Sequence, residues 1–179
     1  MRRDVQAFAM TRKVVTVAAQ RPAGAIDLPR FIQALTASTD AARMAKVTQM
    51  LRAERFQLFC AVTDDHLTGV VKSQTDARLV YACRLAHDGG FFCCTQNLMH
   101  CGGLRGALCK HILVLVIGTA QSGALDVARA SAWAAASRTR KPVLDKDAAT
   151  ATFVRYKGAE AGEVDWRPTE TIPEDYYAL

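Results

Sequence analysis

No stretch of this 179-residue sequence is apolar for long enough to cross a bilayer; the longest run, Ile112 to Ile117, is a fraction of the roughly 20 residues required. The first residues, MRRDVQAFAMTRK, have arginines but no apolar stretch behind them, so they do not read as a secretory signal. Also missing are a P-loop, a G-x-G-x-x-G, an H-E-x-x-H and a G-x-S-x-G, which removes the commonest phosphate-cradling, dinucleotide, metalloprotease and serine-hydrolase signatures. No internal repeat occurs. A soluble, cytoplasmic chain with no membrane segment is expected, and it is not expected to be an enzyme.

Half of the residues are apolar and 22% are charged, ordinary values for a chain that buries a core. The net charge of +6 is uneven. From Ala159 to Leu179 six acids face one base, so the last 21 residues carry −5 and the body carries +11. A basic body attracts nucleic acid or another acidic partner.

Six cysteines are many for a chain of this kind. Without an export signal a disulfide framework is not the natural explanation. Four of them, Cys93, Cys94, Cys101 and Cys109, lie with His100 and His111 within nineteen positions. Such crowding fits zinc, which takes four thiolate or imidazole ligands in a tetrahedron.

Periodicity places the cluster. Lys13 to Ala19 reads as a strand, Leu28 to Leu35 as a short helix, and Asp40 to Glu54 as a longer one capped by Thr39 or Asp40. Phe56 to Thr63, Leu67 to Ser73 and Leu79 to Ala86 read as strands; His87-Asp88-Gly89-Gly90 then turns the chain back as Phe91 to Thr95. Cys109 to Thr119 is apolar on all sides, a buried helix. Ala124 to Arg138 follows as another, with Ser122 or Gly123 as its cap and Trp133 in the core. Three segments are expected: residues 1–55, a strand and helices; 56–140, a zinc-binding core with its following helix; and 141–179, an extended acidic tail. In that tail Trp166, Tyr176 and Tyr177 are large for a merely solubilising segment and point to docking, on the chain's own body or on a partner. The fold class is α+β, a small antiparallel sheet with a zinc-clamped hairpin and helix and flanking helices.

Three ligands follow from this layout: Cys101, Cys109 and His111. Adjacent strand residues face opposite ways, so only one of Cys93 and Cys94 reaches the metal. If Asp88-Gly89 is a two-residue turn, Cys94 lies opposite Cys83 on the face of Tyr81 and Leu85, which favours Cys94. A slip of one residue selects Cys93 instead. Cys60 and Cys83 read as core, His66 and His87 as exposed turn residues, and His100 as a loop neighbour of the site. Cys109 and His111 form a nucleophile–base pair only in outline, since no acid is placed to orient the histidine.

The order hairpin, clustered cysteines, Gly-rich loop and CKHILVL resembles the SWIM zinc finger, whose pattern is C-x-C, a spacer, then C-x-H. Cys109 and His111 match its second pair. Cys93 or Cys94 matches one of the first pair, and Cys101 replaces the other, since no C-x-C is present. The resemblance implies one structural zinc ion and a protein-interaction module. The CCTQN and CGGLRGALCKH variant is similar to bacterial SWIM proteins associated with MoxR-type AAA+ ATPases and von Willebrand factor A proteins, which implies an adaptor with such a partner. Nucleic-acid binding by the basic body is the alternative; the zinc segment itself offers only Arg105 and Lys110 for it.

Overall fold

A computed structural model describes residues 26–53 and 56–176, with side chains through Ala161. The strand expected at Lys13 to Ala19 lies outside the described residues. Asp27 starts helix α1 (Leu28–Ser38) by accepting from the Arg30 amide at 2.9 Å, with Pro29 in the first turn, where its missing N–H costs nothing. Asp40 caps α2 (Ala41–Arg52) in the same way through Arg43, at 2.8 Å. Each helix buries one stripe: Phe31 and Leu35 from α1, and Met44, Val47 and Met50 from α2.

Four strands follow, β1 (Gln57–Val62), β2 (His66–Lys72), β3 (Val80–Ala86) and β4 (Phe91–Thr95). They form an antiparallel sheet in sequence order. Leu67, Val71, Tyr81, Cys83, Leu85, Phe91 and Cys93 share one face, which packs into the main core. Helix α3 (Lys110–Gln121) lies against this face and is covered in turn by α1, α2 and α4 (Val127–Ala136). Its burial on all sides, including Ile112, Leu113, Leu115 and Ile117, explains its uniform apolarity. Full burial of each such side chain stabilises by about 1.5–3 kcal/mol. Gly69 on β2 permits the close approach: a Cβ there would stand 2.5 Å from Leu115 Cδ1 and from the Phe59 carbonyl.

Two expectations need correcting. The cap of α4 is Asp126, which accepts from the Arg129 amide at 3.0 Å. Gly123 instead closes α3, at φ +77° with its amide donating to the Ala120 carbonyl, the usual work of a glycine at a helix C-terminus. The expected extended tail is also replaced: after a 3-10 turn (Ser137–Thr139), helix α5 spans Lys146–Tyr176, continuing past Pro168 and Pro173. The physical reason lies at its start. Asp145 accepts from the Ala148 amide at 2.9 Å, and Ala148, Ala149, Thr152 and Phe153 recur at helical spacing. Ala148, Ala149 and Phe153 cover Ala82, Phe92 and Cys94 on the second face of the sheet. The architecture is α+β, with helices on both faces of a small four-stranded antiparallel sheet. Among the described residues no helix is long and apolar enough to cross a membrane.

Candidate metal centre

The hairpin β3–β4 sets the first ligand. Its loop holds three residues, His87, Asp88 and Gly89, rather than two: the Gly89 amide donates to the Ala86 carbonyl at 3.0 Å and the Ala86 amide to the Gly90 carbonyl at 2.8 Å. Gly89 takes φ +83°, the left-handed residue that follows a type I turn in such loops. The extra residue shifts the register by one, so Cys83 pairs with Cys93 and Ala82 with Cys94. Cys93 therefore faces α3. Cys94, the residue favoured from the sequence, faces the other way, among Ala82, Phe92 and Ala149. Burial pushes its thiol up to about 11, so it stays protonated at neutral pH.

A second, smaller hairpin positions Cys101. The Thr95 amide donates to the Met99 carbonyl, and the Cys101 amide donates to the Cys93 carbonyl, both at 2.9 Å. Cys94 and His100 form the bridge between these bonds. This pairing sets Cys101 across from Cys93, while exposed His100 takes no part in the cluster. Cys109 is the N-cap residue of α3 and His111 lies in its first turn. The peptide dipoles at a helix N-terminus favour a thiolate there.

These elements bring Cys93, Cys101, Cys109 and His111 together, all buried, with their ligand atoms within 4.8 Å of one another. His111 Nδ1 lies 3.7 Å from Cys93 Sγ, 3.4 Å from Cys101 Sγ and 3.9 Å from Cys109 Sγ. Tetrahedral zinc with ordinary bond lengths separates sulfur and nitrogen ligands by about 3.6 Å. The donor set therefore fits a single ion. Three of the four residues selected from the sequence are in the cluster, with Cys93 in the place expected of Cys94.

The surroundings suit a charged cluster. Without metal, burial pushes the thiols of Cys93 and Cys109 well up, whereas Cys101 is held low by its hydrogen bonds from Cys109 and Cys93 and by His111. A metal ion bound there would displace the protons that burial keeps on Cys93 and Cys109. The Gly103 amide donates to Cys101 Sγ at 3.4 Å, and the Cys83 thiol to Cys93 Sγ at 3.7 Å. Cys83 is thus core, as expected, but core in contact with a ligand; half-buried Cys60 packs at the edge of the same core. All six cysteines are free.

His111 is only 3% exposed and lies flat against Tyr81, ring centroids 3.9 Å apart and planes 17° from parallel. Its Nε2 is buried and has no hydrogen-bond partner. Ligation through Nδ1 would put the proton on Nε2, and the imidazole would then be held by stacking rather than by the usual second hydrogen bond. Burial, and after it the neighbouring cysteines, pushes the Tyr81 phenol up. The guanidinium of Arg43 on α2 donates to the Leu108 carbonyl at 2.7 Å, tying α2 to the residue before Cys109.

Alternation along β3 puts Tyr81 on the ligand face from the sequence, but not its stacking on His111; Arg43 was not identified as part of the site, and nothing in the sequence pairs it with residue 108. No protein-family model, curated protein or solved structure matches the chain.

Proposed function

We propose that this chain is a zinc-binding protein-interaction module, in which one structural zinc ion on Cys93, Cys101, Cys109 and His111 locks the β3–β4 hairpin to the start of α3. The observation that carries it is the spacing of three sulfurs around one imidazole nitrogen, close to that of a zinc tetrahedron. Four protein ligands leave no coordination position for water or substrate, the arrangement of structural rather than catalytic zinc. The ion would join two elements that are otherwise held by packing, and its binding free energy would become folding free energy.

The SWIM-like order of hairpin, loop and Cys109-Lys110-His111 supports an adaptor role beside a MoxR-type ATPase or a von Willebrand factor A protein. Protein purified without chelator should contain about one zinc per chain. Affinity capture in the presence of nuclease should recover an ATPase or a von Willebrand-type partner. Metal-free protein would refute the zinc assignment. Capture of nucleic acid alone, with affinity falling steeply as salt rises, would replace the adaptor with the nucleic-acid reading.

A further inference from the structure

Beside the metal cluster is an open cleft of about 530 Å³, lined by Arg43, Lys46, Tyr81, Arg105, Lys110 and His111. Asp40 is the one acid on its wall, and it is engaged by Arg43 at 3.1 Å. Among the described residues no ion pair reaches Lys46, Arg105 or Lys110; the Lys110 ammonium donates to the neutral Gln74 Oε1 at 3.2 Å. Three cations from three separate elements, α2, the Gly-rich loop and the first turn of α3, thus share one concavity without a carboxylate partner; the anionic group beside them is the cysteine cluster, through Cys101 on the cleft wall and Cys109. Converging like charges is unfavourable unless an anion completes the set. A zinc ion with three thiolates carries a net charge of −1, which offsets only one of the three.

We propose that this cleft binds a terminal phosphate group, a phosphomonoester on a small molecule. Lys46, Arg105 and Lys110 are the residues that hold it, and the Tyr81 ring forms a wall for the group that bears it. A monoester carries close to two negative charges at pH 7 and three outward oxygens, which suits cations gathered into a cup. A nucleic-acid backbone carries one charge per nucleotide along a line and calls for a stripe of cations instead. The volume, within the range of small-molecule sites, leaves room for more than the phosphate itself.

Titration calorimetry with phenyl phosphate at low salt tests the site on the full-length chain. Wild type should bind, and Lys46→Gln combined with Lys110→Gln should weaken binding by about tenfold or more. Arg105→Gln, in an exposed loop, is an independent variant expected to act in the same direction, whereas Lys141→Gln, outside the cleft, should leave affinity unchanged. Zinc content read on the same samples reports separately on the metal assignment. The proposal is overturned if phenyl phosphate does not bind, if the double variant and Arg105→Gln bind as wild type does, or if an oligothymidylate without terminal phosphates binds more tightly than phenyl phosphate through the same lysines.

Discussion

Replacing Cys93 and Cys94 in turn by serine changes neighbouring residues with the same chemistry, yet the structure assigns the two changes different consequences. Cys93 Sγ is 3.7 Å from His111 Nδ1, within the cluster, so Cys93→Ser removes one of four ligands. Cys94 lies behind the sheet with Ala82, Phe92 and Ala149, so Cys94→Ser puts a hydroxyl into an apolar contact. That second change costs about 1–3 kcal/mol of stability, with metal or without it, because the hydroxyl is desolvated. The first removes a contribution that exists only when metal is bound. With free zinc at about 100 times Kd, that contribution is about 2.7 kcal/mol. For a domain of this size it corresponds to roughly 5–11 °C in Tm. Thermal melts with and without chelator separate the two cases. Chelator should lower the Tm of wild type and of Cys94→Ser by about the same amount and leave Cys93→Ser unmoved, and elemental analysis should show zinc retained only in the first two. If Cys94→Ser loses zinc while Cys93→Ser keeps it, the hairpin register is wrong and so is the ligand set.

The protonation pattern predicts that zinc uptake near pH 7 releases about two protons, from Cys93 and Cys109, because burial keeps these thiols protonated in the metal-free protein while Cys101 is already a thiolate. Affinity should then fall by about a hundredfold for each pH unit of acidification, measurable by calorimetry in buffers of different ionisation enthalpy; release of no protons would refute the pattern. Gly89→Ala should destabilise the protein and weaken zinc binding together, since φ +83° strains any other residue and the new Cβ would collide with the Ala136 backbone. Circular dichroism melts and a zinc competition assay check this, and a variant unchanged in both would show that the loop does not hold the register.

The elements with a strong period were legible. The spacing of Ala42, Met44, Val47 and Leu51 marked α2, and continuous apolarity marked α3 as a buried helix. What escaped depended on tertiary structure. Gly123 read as the start of α4 because a glycine between two helices serves either neighbour, and only its φ of +77° assigns it to the end of α3. Helix α5 escaped because Gly158, Pro168, Pro173 and the run of acids after Lys157 read as extended chain. The evidence for it was in the strands instead. Val70, Ala82, Phe92 and Cys94 are fully or almost fully buried while pointing away from α3. A sheet with only one covered face would have alternated with polar residues at those positions. Apolar strands on both faces require a second layer, and α5 is the segment that supplies it.

The choice between Cys93 and Cys94 shows why the rest of the centre was harder to read than its composition. Residue types announce a metal, but the ligand identity depends on loop length, and a two-residue and a three-residue turn are both compatible with His-Asp-Gly-Gly. The decisive feature is Gly89, whose positive φ adds the third loop residue and whose missing side chain lets the turn lie against the end of α4. Once Cys93 is fixed on the α3 face, the second hairpin carries parity forward: residues 93 and 101 stand opposite each other, so both sulfurs fall on one side. The α3 start then contributes Cys109 and His111, two residues apart, because the N-cap is still extended while the first turn is already helical. The four residues thus depend on three different pieces of backbone geometry, a G1-type loop, a cross-strand pair and a helix cap. The centre can assemble only when all three are correct, so a metal bound there selects the whole arrangement against any one-residue slip.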